Sequence, residues 1–392
     1  MGESPTDGSR LMDLPLPTRG RLLAVEQSPV RHLDATLFGA TIALCGYGLM
    51  MVYSATNQSL LALGQDPGTY LKRQILFLTI GLIGLAVTAL MGYRLVKLYA
   101  GFGYALAVVL LALVQTPLGT SVKGAQRWFQ VGSFQLSPSL FSRLAIVAML
   151  AAFLSEIKGD LLLRHVVRAT ILAAIPTILV FIQPDIGTSI ILAFVLVAML
   201  VVAGAKAKHL AVLAVVASVG IFGAFQLNII QDYQIERLRS FFDTTAGAEQ
   251  ARYNRDQAEI AIGAGGVTGR GYLQGTQTSL DFVPEQHTDF IFTVVGEELG
   301  FIGAIGLLAL FALVLWRALR IAQMALDPFG TFVATGVAAF LAIQLCINVG
   351  MTIGIMPITG IPLPFVSYGG SALIADLLGI GLLQSIHRRR FL

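Results

Sequence analysis

Residues 289–315 read DFIFTVVGEELGFIGAIGLLALFALVL, and after Glu298 no charged side chain interrupts the run. About 20 mostly apolar residues are what an α-helix needs to cross a bilayer. Lipid offers backbone groups no partner outside the helix itself. Working outward, nine more apolar segments lie near 33–53, 73–91, 98–116, 139–156, 169–183, 185–203, 209–228, 330–353 and 364–386. The fifth and sixth of the ten are short and meet at Gln183-Pro184-Asp185. Hydrophobic residues make up 56% of the 392 and charged residues only 12%, against about 25% charged in ordinary globular proteins. The expected fold is therefore all-α, a polytopic membrane protein of about ten transmembrane helices.

A net charge of +4 is too small to indicate nucleic acid, and the distribution of that charge says more. With the N-terminus inside, Arg94, Lys97, Arg164, Arg168, Lys206, Lys208 and the tail residues Arg388, Arg389 and Arg390 all fall on the cytoplasmic side, as the positive-inside rule requires. Both termini are expected there. Residues 1–32 carry no apolar stretch of the kind that marks a cleaved signal, and read as a flexible cytoplasmic tail. The membrane domain is expected to fill 33–392. Cys45 and Cys346 sit in apolar runs without a neighbouring His or Cys, so neither a disulfide framework nor a zinc site is indicated.

One connection is long. Residues 229–288 form an extracytoplasmic loop, polar over Gln231–Arg255, with a short amphipathic helix expected around Ile235–Phe242. Loops of this length are usually functional or disordered, and the apolar residues and glycines here argue against plain disorder. Over Ile260–Gly275 glycine recurs. The string follows no strand of a βαβ unit, so a dinucleotide site is not indicated. Two readings stay open: a tight re-entrant turn, or a backbone that approaches a ligand closely.

The loop ends in Glu285-Gln286-His287-Thr288-Asp289. If the eighth span begins near Thr288, Asp289 falls in its first turn, where a carboxylate complements the helix dipole. A carboxylate at the membrane edge, partly desolvated, equally suits a general base. Glu285 and His287 flank it as substrate-binding candidates. Glu297 and Glu298 lie about two turns deeper, and ionisable groups in a span face a bundle interior or a wet cavity. Elsewhere on the same side, Lys123 and Arg127 are placed to grip phosphate, with Trp128 between an interfacial and a binding role. Arg143, just inside the fourth span, needs an acidic partner or an anionic ligand. Asp185 sits at a helix break. The prolines and glycines of 357–371 mark either a kink or a cavity wall, and Asp376 needs a partner. Acidic and basic groups together at the bilayer edge suit a lipid-linked anionic substrate.

The strings FVPEQHTDFIF, GEELGFIGA, AIGAGGVTGRG, GTQ, QPDIGT and PLPFVSYGGS resemble the SEDS family (shape, elongation, division and sporulation). The likeness runs from about residue 33 to 390, and TGIPLPFVSYGGS is closer to the rod-shape branch than to the division branch. The resemblance implies a peptidoglycan glycosyltransferase of the cytoplasmic (inner) membrane that polymerises lipid II on its outer side, beside a class B penicillin-binding protein. It implies that Asp289 is essential to polymerisation and that Trp128, Lys123 and Arg127 match the family's loop residues. One departure stands out. The family usually reads QPSE with a lysine three residues on, whereas this chain has Leu140 and Arg143 there. On this footing Asp289 would deprotonate an acceptor hydroxyl in an inverting glycosyl transfer. Lys123, Arg127, Arg143 or Arg270 would neutralise the leaving pyrophosphate, and a divalent cation is one further source of positive charge; no cofactor is otherwise implied. A lipid II flippase and a non-catalytic cell-wall scaffold, for which the lost acid at Leu140 speaks, are the competing expectations.

Overall fold

The structure is a computed structural model that describes residues 32–122, 125–132, 134–226, 249–280, 282 and 285–391. Its helices are α1 (Ala35–Ala62), α2 (Thr69–Met91), α3 (Tyr93–Leu113), α4 (Pro138–Ser155), α5 (Leu163–Ile182), α6 (Ile186–Val202), α7 (Ala207–Gln226), α8 (Glu249–Gly265), the one-turn α9 (Thr276–Ser279), α10 (Ile291–Gln323), α11 (Pro328–Thr352) and α12 (Gly370–Arg388). By length and apolarity, eight of these can cross a membrane: α1 to α5 and α10 to α12. The shorter apolar helices α6 and α7 coincide with the remaining two expected segments.

Local chemistry sets many of the ends. Asp34, Asp185 and Asp327 cap α1, α6 and α11 by accepting from the amides of Leu37, Thr188 and Gly330, each satisfying a donor the helix leaves free. Pro138 and Pro328 open α4 and α11, where a missing N–H costs nothing. Gly92, at φ 79°, turns α2 directly into α3.

Three expectations change. Between α3 and α4 lies a small antiparallel sheet in the order β1 (Thr120–Val122), β2 (Ala125–Val131), β3 (Phe134–Leu136), so the all-α scheme needs this one addition. The last span begins at Gly370 rather than near residue 364; residues 353–369 are irregular, because the prolines and the left-handed Phe365 (φ 64°) do not continue a helix. In the long loop, α8 runs into the glycine-rich string. The helix expected around Ile235–Phe242 lies outside the described residues.

That glycine string is a turn packed backbone to backbone on α10. The amides of Phe301 and Ile302 donate to the Gly266 and Val267 carbonyls (3.0 and 3.1 Å), and those of Arg270 and Gly271 donate to Glu297 and Glu298 carbonyls (both 3.0 Å). α10 bends at Gly300, whose φ is 64° and whose added Cβ would run into the Gly269 nitrogen. Only glycine suits such a point. Of the two readings of the string, the turn is the one realised.

One end of the bundle gathers the start of α1 and the ends of α10 and α12. Asp34 exchanges two hydrogen bonds with Gln384 (2.8 and 2.9 Å) and accepts from Arg317 (2.8 Å), while the His32 and Phe391 rings stack at 5.2 Å. In the interior, α11 packs against α4, α6 and α10, and α12 against α2. Between α4 and α12 the Arg143 guanidinium meets Asp376 at 3.4 Å, both 1% exposed, and lies over the Phe340 ring at 5.3 Å. Each of these two charges thus supplies the partner that the other required. Removing one member of such a buried pair strands the other, whereas replacing both does not. Arg143→Leu or Asp376→Leu alone is expected to cost about 3–5 kcal/mol. The double variant should lose less than either in thermal unfolding of the solubilised protein; a double loss equal to the sum of the singles would contradict the pairing.

Candidate active site

Toward the end of the bundle opposite His32 and Phe391, a cavity of about 650 Å³ opens, within the range of small-molecule sites. Its wall is built from α2 with Tyr70, Arg73 and Phe77; β2 with Arg127, Trp128 and Gln130; β3 and the start of α4 with Phe134, Ser139 and Leu140; the α5–α6 break with Asp185 and the start of α6 with Thr188; the turn before α10 with His287, Thr288 and Asp289; and the irregular segment from Gly360 into the start of α12. Gln344 of α11 reaches it from below.

Asp289 does not cap α10. The helix begins at Ile291 with Phe290 as its N-cap and no side-chain cap, which places Asp289 before the first turn rather than within it. The chain enters through a tight turn on Glu285 (φ 58°), whose carbonyl accepts from the amides of Thr288 and Asp289 (both 3.1 Å). Three consecutive carbonyls are then fixed from outside. Tyr368 N–H donates to His287 O (2.8 Å), Ser367 Oγ to Thr288 O (2.5 Å) and Asn348 Nδ2 to Asp289 O (2.8 Å). Asn348 also holds Ile361 O (2.7 Å), and Gln74 receives the Gly369 amide and donates to Ser367 O. The carboxylate is thereby carried on a backbone held by α2, α11 and the 353–369 segment together.

Aromatic rings cover one side. His287 stands 4.9 Å from Tyr70 and 5.7 Å from Tyr368, ring centre to ring centre. Burial pushes the Tyr368 hydroxyl above its usual range, while a hydrogen bond from Arg73 pulls it back. Arg127 is engaged with the α5–α6 break: it donates to the carbonyls of Gln183 (2.8 Å) and Pro184 and stands 3.8 Å from Asp185.

Of the candidates from sequence, Asp289, His287, Arg127 and Trp128 share this cavity. Lys123 lies outside the described residues. The others stand apart. Arg143 is sealed against Asp376 and is absent from the cavity wall, Arg270 bonds Ala264 O and Thr276 Oγ1 within the loop, and Glu285 serves the turn at the surface. Glu297 accepts from the amides of Gln277 and Thr278 and from two hydroxyls, and Glu298 from Ser54; both acids anchor the loop. Tyr70, Arg73, Gln344 and Tyr368 join Asp289 in the cavity wall, the first three of them without a motif to mark them. Arg73 was visible only as a basic residue at a span end, and Gln344 as one polar letter in an apolar helix. Among the described residues no three His, Cys, Asp or Glu side chains gather.

The family described as "Cell cycle protein", which joins FtsW, RodA and SpoVE, matches residues 35–391. The peptidoglycan glycosyltransferase MrdB of Escherichia coli K12 is 38% identical over 92% of this chain and 94% of its own. Among solved structures, a chain from a study of polymerisation and crosslinking by a peptidoglycan synthase complex superposes with TM-score 0.75 at 29% identity, covering 92% of this chain and 98% of that one. The rod shape determining protein RodA of Thermus thermophilus gives 0.67 at 28% identity, covering 92% and 98%.

The carbonyl clamp makes a prediction of its own. Asn348→Ala removes the donor to Asp289 O, and amide exchange across 288–292 should quicken roughly tenfold, as expected for the loss of one buried hydrogen bond. Exchange unchanged in that stretch would show that Asn348 does not hold the turn.

Proposed function

The chain belongs to the FtsW, RodA and SpoVE family of cell cycle proteins, and from that footing we propose how this peptidoglycan glycosyltransferase works. It polymerises peptidoglycan in the service of cell shape. The substrate is lipid II, a disaccharide-peptide on undecaprenyl pyrophosphate, and the cavity faces the outer side of the cytoplasmic membrane. Support for that orientation comes from the basic residues of the opposite end, where Arg94, Lys97, Arg317 and Arg388 to Arg390 collect.

Asp289 is the general base. It takes the proton of the acceptor sugar hydroxyl as that oxygen attacks the anomeric carbon of the lipid-linked donor. The bond from that carbon to the pyrophosphate breaks, its electron pair leaves with undecaprenyl pyrophosphate, and the anomeric configuration inverts. The single observation that carries this assignment is the threefold fixing of carbonyls 287 to 289: a base held in place does not have to be ordered during reaction. Negative charge developing on the leaving group meets Arg73 and Arg127, both on the cavity wall, although much of the hydrogen-bonding capacity of Arg127 is committed to the α5–α6 break. Arg143 and Arg270, away from the wall, are structural in this scheme. The rings of Tyr70, His287, Tyr368 and Trp128 suit the C–H faces of sugars. A class B penicillin-binding protein then cross-links the product strands.

The departure at Leu140 no longer favours a scaffold. The cation at Arg143 has its counter-charge in Asp376, so the missing acid leaves no stranded charge. With purified lipid II, Asp289→Asn should fold as the parent does and polymerise about 10²–10⁴-fold more slowly; normal polymerisation would remove Asp289 from the mechanism. The same assay with and without the partner separates the alternatives. Glycan strands support the enzyme, translocation alone a flippase, and neither a scaffold.

A further inference from the structure

We propose that the floor of the cavity is a subsite for the acetamido group of an amino sugar in the substrate, read by the side-chain amide of Gln344. The proposal rests on the glycosyltransferase reading and deepens it.

Gln344 is 0% exposed, yet it lines the cavity, and neither its Nε2 nor its Oε1 has a hydrogen-bond partner. Buried polar side chains almost always find partners, and an amide with both ends unmet at the bottom of a wet pocket is set to receive one. Its place on α11 is informative. Asn348, one turn above, holds the Asp289 carbonyl; Phe340, one turn below, lies under the Arg143 guanidinium. Asp289 and Gln344 line the same cavity, so a sugar seated against the one can present a ring substituent to the other.

The chemistry of the floor selects the ligand class. A carboxamide presents one acceptor and a pair of donors, and a secondary amide answers it with one N–H and one C=O. Arg143 and Asp376 beneath already balance one another, so the floor carries no net charge to draw an ion. Ile191, Ile361 and Ala372 stand in the same wall and offer an apolar seat to the acetyl methyl. A lone hydroxyl would satisfy the amide less completely.

The test compares lipid II with lipid II from which the N-acetyl groups have been removed, using the purified full chain. The parent protein should prefer the acetylated substrate by about 10- to 100-fold in kcat/KM, since a site built to hydrogen-bond a group rejects the analogue that lacks it. Gln344→Met, of similar size, should lose most of that preference by slowing on the acetylated substrate. Gln344→Asn, which keeps the amide on a shorter stem, should fall between and serves as the variant if Gln344→Met does not fold. Equal rates of the parent on both substrates, or a full preference retained by either folded variant, would overturn the proposal. Failure of the parent to polymerise acetylated lipid II both alone and with its penicillin-binding partner would instead overturn the glycosyltransferase reading and this inference with it.

Discussion

Three successive peptide carbonyls, those of His287, Thr288 and Asp289, each accept a hydrogen bond from a residue more than fifty positions away in the chain. Most of what is distinctive in this molecule follows from that constraint. To deliver the donors, the chain after α11 must abandon helical structure, since Ser367 and Tyr368 meet the turn only from an irregular path. A non-helical backbone at this depth is tolerated only where it is enclosed by protein or lines a wet cavity. Here it does both. Leu363 N–H finds Ser367 Oγ at 2.8 Å, Gln74 serves two further backbone groups, and Gly48 of α1 lets that helix lie directly against the Phe365–Val366 backbone.

A second set of bonds secures the other side of the turn. Glu297, wholly buried, gathers four donors from Thr276 to Thr278, and the glycine string locks onto the bend of α10 at Gly300. An acid this deep in an apolar helix is costly unless its oxygens are satisfied, and here they tie a loop to a span. The carboxyl groups of the 297–298 pair therefore belong to architecture, while Asp289, just before the start of the same helix, lines the cavity. Similar residues a few positions apart divide into scaffold and site according to what their surroundings let them touch.

The spans were legible because a bilayer demands long apolar helices, and the apolar stretches of residues 33–228 and 289–386 are long enough to declare themselves. The start of the last helix was not. Pro364, Phe365 and Val366 are apolar because they are buried, and apolarity alone does not separate a buried irregular segment from a helix. The small sheet is not legible for a related reason: β1 and β3 have three residues each, and the seven of β2, AQRWFQV, do not alternate apolar with polar. For the site, residue type pointed to Asp289, His287, Arg127 and Trp128, which do come together. It could not say that Arg143 and Asp376 would satisfy one another, because that pairing depends on which helices are neighbours. Nor could it say that Arg270 and Glu285 would bond within the loop and its turn.

The central claim is that the carboxylate position stands at an aqueous cavity on the outer face of the membrane, within reach of a lipid-borne sugar. Its most direct test is to place a cysteine at position 289 in a chain whose Cys45 and Cys346 have been changed to serine, and to label intact spheroplasts with a membrane-impermeant maleimide. The account predicts labelling without permeabilisation and protection when lipid II is supplied. Labelling only after the membrane is opened would put the cavity on the wrong side and contradict it.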